Sequence, residues 1–124
     1  MSHFDVTNGP GENAFFLVFN LMDTVETQNT LIDFCSEFSA ISRSMRNRFP
    51  ELQISCVMGF GAQAWRKYFP EQPVPKELFP FEEIKGQKHT AVSTPGDIFF
   101  HIRALRVDAC YEMASIICKK LSEI

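Results

Sequence analysis

The sequence lacks the features that mark several large classes of protein. Its formal net charge is −3, from 12 Lys and Arg against 15 Asp and Glu, so there is no basic excess to attract a nucleic acid. The longest apolar run, residues 14–22, is interrupted by Asn20 and is far too short to span a bilayer. Residues 1–13 contain no basic segment of the kind that opens a secretory leader. We therefore expect a cytoplasmic protein with no membrane span and no nucleic-acid partner.

The cysteines and polar aromatic residues also offer little chemistry. Cys35, Cys56, Cys110 and Cys118 form no Cys-x-x-Cys pair and have no metal-ligand spacing. All four fall in apolar patterns, so we expect reduced thiols that act as small buried side chains. Thirteen phenylalanines stand against one tryptophan and two tyrosines, which predicts an aromatic core with few polar groups to satisfy.

The first half of the chain predicts a strand and a long helix after a flexible lead-in, residues 1–13. Residues 14–21 are apolar on both faces, which is typical of a strand covered on both sides. Asp23, with Glu26 three residues later, is predicted to cap a helix that Pro50 ends. The helix is indicated by apolar residues that recur at steps of three and four: Leu31, Phe34, Phe38, Ile41, Met45 and Phe49.

The second half predicts two more strands and two more helices. The strands are residues 52–60 and 97–104, and a short helix with Trp65 follows the first of them. Residues 70–95 are rich in proline and predict an extended connection, and the last helix starts near residue 106. The order β-α-β-β-α is one strand short of the ferredoxin-like pattern. We therefore predict an α+β fold, with a small antiparallel sheet and both main helices on one face.

The most informative stretch is a turn followed by an alternating strand. Pro95 and Gly96, in Thr-Pro-Gly-Asp, interrupt regular structure because proline fixes φ and glycine relaxes it. In the strand that follows, Ile98, Phe100, Ile102 and Ala104 share one face, and Phe99, His101 and Arg103 share the other.

Four blocks stand in a specific order along the chain. They are an apolar strand, Gly59-Phe60-Gly61 before a Trp-bearing helix, Ser-Thr-Pro-Gly-Asp, and Phe-His-Ile-Arg-Ala. From about residue 14 to the last residue, this ordered set resembles the N-terminal half of dye-decolorising (DyP-type) haem peroxidases. The resemblance implies that residues 14–124 form a ferredoxin-like N-terminal domain. The residues that match the family pattern as structural positions are Pro95, Gly96, Asp97, His101 and Arg103.

The resemblance implies a haem enzyme only for the full-length protein. Such proteins use haem b for hydrogen-peroxide-dependent oxidation of dyes or porphyrin-like substrates, and their C-terminal half holds the haem through a proximal histidine. Their distal aspartate stands in a Gly-x-x-Asp-Gly motif, whereas this sequence has no Asp-Gly dipeptide and Gly96-Asp97 has the reverse order. We assign no catalytic, cofactor-binding or metal-binding residue here, and we predict a colourless, inactive chain. His101 is predicted to be a hydrogen-bonded histidine on the second face of the sheet.

Trp65 and the pair Glu82 and Glu83 could each be read as functional or as structural. Peroxidases that this sequence resembles can oxidise bulky substrates at surface aromatic residues by long-range electron transfer, which makes Trp65 a candidate site. The alternative is that Trp65 anchors the neighbouring loop to the core. Glu82 and Glu83 are interpreted as solvated loop residues, because nothing in the pattern indicates the burial that acid-base chemistry needs.

Two interpretations of function stay open. The first is the structural and assembly domain of a DyP-type peroxidase, with the C-terminal haem half as partner. The alternative is a free-standing ligand-binding or regulatory module of the dimeric α+β-barrel kind. Both predict a homo-oligomer, because residues 14–21 would have an unpaired strand edge and one uncovered apolar face. The exposed face would carry either Phe16 and Val18, or the set Phe15, Leu17 and Phe19.

Overall fold

The computed structural model of the chain describes residues 11–122, which contain nine helices, turns and strands. Most of the predicted flexible lead-in lies outside the described residues, and Asn13 already belongs to the first strand. In chain order the elements are β1 Asn13–Phe19, α1 Val25–Arg48, a 3-10 turn Pro50–Leu52, β2 Ser55–Phe60, α2 Ala62–Tyr68, β3 Ile84–Lys85, β4 Thr90–Ala91, β5 Ile98–Ala104 and α3 Val107–Leu121.

The main sheet has three antiparallel strands in the order β1-β5-β2. Its central strand, β5, turns four apolar side chains toward α1 and α3, and none of the four is more than 1% exposed. They are Ile98, Phe100, Ile102 and Ala104. The core therefore lies between one face of this sheet and the two long helices, which confirms the predicted ferredoxin-like α+β fold.

Helix α1 presents the predicted apolar stripe to the sheet. Leu31, Phe34 and Met45 are buried, while Phe38 and Ile41 pack at the margin of the core. The prediction that Asp23 caps the helix is wrong. The hydroxyl of Thr24 accepts a hydrogen bond from the Thr27 amide at 3.1 Å, which satisfies one of the first free N–H groups of the helix.

Strand β1 differs from the prediction in its second face. Phe15, Leu17 and Phe19 pack against the core, as the register with β5 requires. Phe16 and Val18 point away from the helices and are 63% and 58% exposed. Within residues 11–122 no element covers Phe16 and Val18, so the predicted cover on both sides of β1 is not found over this part of the strand.

Strand β2 starts three residues later than predicted. Pro50 opens a 3-10 turn that includes Leu52, and Gln53 then adopts a left-handed conformation with φ 50°. A residue at positive φ cannot continue a strand, because the pleat requires negative φ. The amide of Leu105 donates to the Leu52 carbonyl at 2.9 Å, so this turn is tied to the end of β5.

The cysteines and the proline-rich connection follow the predictions in part. Cys56 and Cys110 are buried and Cys35 is half-buried, but Cys118 is exposed, so the expectation of burial is wrong for Cys118.

Residues 70–95 form an extended connection, as predicted, with one minimal hairpin made of β3 and β4.

Candidate functional site

The candidate site is the exposed part of the sheet face that points away from α1 and α3. We call it the open face, and it is made by Phe16, Val18, Gly59, Phe99 and His101. The Phe16 ring stacks on the His101 ring, with centroids 4.5 Å apart, and also on the Phe99 ring at 6.0 Å. Three rings from two neighbouring strands therefore form one exposed aromatic platform.

The imidazole of His101 is partly shielded from water in this platform. Partial burial lowers the pKa of His101, and the positive charge of Arg103 lowers it further. Arg103 lies two residues along β5, between Ala14 and Ser55 of the flanking strands, and is only 8% exposed. His101 lies on the second face of the sheet, opposite Phe16, and the Phe16 ring stacks on it there; its hydrogen bonding stays a prediction.

One end of the open face is held together by Asp97. Its amide donates to the Phe19 carbonyl at 2.9 Å, and its own carbonyl accepts from the Gly61 amide at 2.9 Å. Its carboxylate accepts a third bond from the Leu21 amide at 2.7 Å. Asp97 thus joins the ends of β1, β5 and β2, and its carboxylate is engaged in structure rather than placed for catalysis.

Two glycines allow the Pro95-Gly96 turn to pass against these strand ends. A Cβ on Gly61 would collide with the Gly96 carbonyl oxygen, and a Cβ on Gly96 would lie 2.7 Å from a Val18 methyl group. The backbone segments therefore approach more closely than side chains would permit. A shallow depression of about 290 Å³ lies beside them, lined by Gly59, Phe99 and the Thr94-Pro95 turn.

Trp65 lies outside the open face, in a small aromatic cluster on α2. Its ring is 6.0 Å from that of Phe60 and 5.2 Å from that of Phe69. Its indole N–H donates to the Pro73 carbonyl at 3.2 Å, which fixes the start of the connection against α2. This geometry suits an anchor, since a half-buried Trp normally satisfies its N–H with a partner.

The residues in the described range do not fit a haem site. His89 is in the exposed turn between β3 and β4, and His101 is stacked on Phe16 and lies outside the depression. No group of three or more His, Cys, Asp or Glu side chains within residues 11–122 is placed to hold a metal ion. Glu82 and Glu83 are exposed, in agreement with the solvated interpretation.

The stacking of Phe16 on His101 was not predictable from the sequence. It depends on the register that places these two residues opposite each other, 85 positions apart in the chain. The alternation of β5 identified the face that carries His101, but periodicity within one strand cannot identify its cross-strand neighbour. The close approach of Gly61 and Gly96 was only weakly indicated by the sequence, through the presence of a glycine in each of the two turns.

The fold defines a ferredoxin-like α+β domain, and comparison with known proteins shows its family. The family model described as "Dyp-type peroxidase, N-terminal" matches residues 6–124. A dye-decolorizing peroxidase of Rhodococcus erythropolis is 40% identical over 90% of this chain, and one of Mycobacterium tuberculosis is 39% identical over 89%. The chain belongs to the DyP-type peroxidase family.

Solved structures of the family share the fold. A dye-decolorizing peroxidase from Bacteroides thetaiotaomicron superposes with a TM-score of 0.85 at 56% identity, over 92% of this chain and 37% of its own. The encapsulated DyP-type peroxidase from Mycobacterium smegmatis gives 0.86 at 34% identity, over 94% and 37%. A Rhodococcus jostii DypB variant in complex with heme gives 0.86 at 34%, so the family binds haem.

The chain spans only about a third of the length of its curated relatives, 32% of the Rhodococcus and Mycobacterium proteins. It therefore corresponds to the N-terminal part of a DyP-type peroxidase. None of the helices between residues 11 and 122 has the length and apolar character needed to cross a membrane.

Proposed function

We propose that residues 14–124 are the N-terminal structural and assembly domain of a DyP-type haem peroxidase. The full-length protein would use haem b, held by its C-terminal half, for hydrogen-peroxide-dependent oxidation of dyes or porphyrin-like substrates. The observation that carries the proposal is the open face, a stacked aromatic surface on a sheet whose other face packs against the core. The proposed role of this chain is to supply that face, and not a catalytic group.

The exposure of the open face supports a large covering partner. Phe16, Val18 and Phe99 are contiguous across β1 and β5, and contiguous exposed apolar residues normally mark an interface. Gly59 removes any side chain from the neighbouring position of β2, so a partner can approach that part of the sheet closely. The C-terminal half of the same protein is the partner that we propose.

A second copy of the chain is the alternative partner. In the dimeric α+β-barrel arrangement, two open faces would stack and enclose a ligand-binding or regulatory pocket. The outer edge of β1 supports association too, since β1 pairs only with β5 within residues 11–122. Copies would then associate through the strand edge, the sheet face, or both.

The decisive experiment is a haem titration of the chain alone and of the chain mixed with a C-terminal partner domain. The 124-residue chain alone should give no stoichiometric Soret band, whereas a band should form when the C-terminal part of the Bacteroides thetaiotaomicron relative is added. Phe16→Asp should abolish that gain, because it places a charge on the covered face. Val25→Asp, at an exposed position at the start of α1, should leave it intact.

Two outcomes would count against this proposal. A stoichiometric Soret band of the isolated chain that is lost in His101→Ala would make His101 a haem ligand. A stable dimer of the isolated chain that binds no C-terminal partner, and that Phe16→Asp dissociates, would favour the free-standing module.

For Trp65 we propose a surface electron-transfer role in the full-length protein, beside its role as an anchor of the neighbouring loop. Trp65→Phe keeps an aromatic ring against Phe60 and Phe69 but removes the readily oxidised indole. The variant should lose turnover of bulky dyes and keep that of small substrates. A loss of thermal stability with unchanged dye turnover would leave Trp65 as an anchor only. A cytoplasmic location likewise stays a prediction.

A further inference from the structure

We propose that the β3–β4 hairpin is a docking arm for the same hairpin of a second copy. In this arrangement β3 pairs antiparallel with the partner's β3, and a two-fold axis passes midway between the two Ile84 residues. The result is a four-stranded sheet in the order β4-β3-β3-β4. This contact is separate from the open face and does not depend on the proposed function.

The hairpin is poorly supported by the rest of the chain. Every side chain from residue 79 to 95 is exposed, and Phe79, Ile84 and Val92 are each more than 60% exposed. Its two strands have two residues each, and an isolated two-stranded hairpin is at best marginally stable in water. Two further strands would supply the pairing that the hairpin lacks.

The base of the hairpin is nevertheless fixed in position. The Arg66 guanidinium donates to the Leu78 carbonyl at 2.6 Å, and the Ser93 hydroxyl donates to the Phe81 carbonyl at 2.6 Å. The tip is closed by the Gly86 amide, which donates to the His89 carbonyl at 2.8 Å. These bonds make the hairpin an ordered projection, with less conformational entropy to lose on docking than a free loop.

One edge of β3 is available for a new strand. Ile84 pairs with Ala91 and Lys85 with Thr90 across the hairpin, and β3 has no other ladder partner among residues 11–122. An exposed edge presents a row of backbone N–H and C=O groups that can bind an extended strand.

The charges on either side of Ile84, Glu83 just before β3 and Lys85 within it, select the same hairpin as the partner. In an antiparallel pair centred on Ile84, Glu83 of one copy faces the partner's Lys85, and the symmetric contact repeats it. Because directly opposite residues share a face of the sheet, each copy contributes one carboxylate and one ammonium to two ion pairs. The two Ile84 side chains meet on the opposite face. The sequence is therefore self-complementary, as a two-fold interface requires.

The test reverses these charges in the 124-residue chain and measures association by analytical ultracentrifugation. Glu83→Lys and Lys85→Glu should each weaken self-association by about tenfold or more, because each turns two attractive pairs into repulsive ones. An equimolar mixture of the two variants should associate as tightly as the wild-type chain. The double swap Glu83→Lys/Lys85→Glu should do so on its own.

The matched control is Glu77→Lys, which makes the same change of charge on the same connection six residues before Glu83, away from the proposed contact, and should leave association unchanged. The proposal is overturned if the wild-type chain is monomeric at tens of micromolar. It is equally overturned if the single reversals associate like the wild-type chain, or if neither the mixture nor the double swap restores association.

Discussion

The helix side of the main sheet and the open face are built from the same strands and both carry large apolar residues, yet their surroundings differ. On the helix side Phe100 and Ile102 are fully buried, whereas on the open face Phe16 and Phe99 reach solvent. Apolar character alone therefore does not decide whether a side chain lies in the core of this chain. An apolar residue that the chain itself leaves uncovered carries information about a partner instead.

This difference separates stability from assembly. Side chains on the helix side should determine the free energy of unfolding of the 124-residue chain, since burying one contributes about 1.5–3 kcal/mol. Side chains on the open face should contribute little until a second body covers them. Substitutions on the two faces therefore test whether helix-side residues determine stability and open-face residues determine assembly.

The largest expected effect is that of Phe100→Ala on the helix side. Phe100 is fully buried and packs edge-on against Phe19 and Phe34, so its removal should lower the free energy of unfolding by about 3–5 kcal/mol. Phe16→Ala on the open face loses only the stacking contacts and should cost less than about 1.5 kcal/mol. Urea denaturation of both variants provides the measurement. Similar losses would mean that the open face is already covered within the chain.

The next effect concerns the close approach of the two turns at the end of the sheet. Gly61→Ala should cost about 3 kcal/mol, at the upper end of typical overpacking costs, since its methyl group would meet the backbone oxygen of Gly96, which cannot rotate away. Gly59→Ala is the matched control, because its Cβ would lie 3.8 Å from a Phe99 ring carbon, an ordinary contact. Thermal unfolding of the two variants should separate them clearly. Equal melting temperatures would show that the Pro95-Gly96 turn moves freely.

A smaller effect is expected at Asp97, which ties the strand ends together. Asp97→Ala removes the acceptor of the Leu21 amide and should cost about 1–3 kcal/mol. Asp97→Asn keeps a carbonyl oxygen in place and should recover part of that loss, which distinguishes the hydrogen bond from the charge. Hydrogen exchange at Leu21 reports the bond directly. If its amide is as protected in Asp97→Ala as in the wild-type chain, the carboxylate is not its partner.

Much of the helix side could be predicted because its signals are local. The spacing of Leu31, Phe34 and Met45 identified the buried stripe of α1, and the alternation along β5 identified both of its faces. The cap was assigned to the wrong residue because Asp23 and Thr24 are both good capping residues, and only the helix start at Val25 decides between them. The helix-capping preferences of aspartate and threonine are too similar for the sequence to choose between two neighbouring candidates.

The open face could be predicted only in part, because it depends on contacts between distant segments. The sequence left two possible exposed sets on β1, and the register with β5 decides for Phe16 and Val18. That register is fixed by the packing of Leu17 and Phe19 on the helices, which no local pattern contains. Similarly, the self-complementary charges of Glu83 and Lys85 acquire meaning only once β3 is known to have an open edge.

The smallest expected effect is the pH dependence that His101 contributes to stability. Its pKa in the folded chain lies below the ordinary value of 6.5, through partial burial and then the charge of Arg103. The unfolded chain therefore binds more protons between the two pKa values, so stability falls as the pH decreases below about 6.5 and is unaffected above it. His101 is half-exposed, so the loss should be small.

Urea midpoints at pH 7.5 and pH 5.5 provide the measurement, compared between the wild-type chain, His101→Gln and the control His89→Gln. The wild-type chain and the control should lose more stability at pH 5.5 than His101→Gln does. A covering partner should deepen the effect, because it removes more water from the imidazole and so disfavours its charged form further. The His101 ring protons, followed by NMR, should therefore titrate at a lower pH when the open face is covered. An unchanged titration in the presence of a bound partner would place that partner elsewhere on the molecule and break the assignment of the open face as the interface.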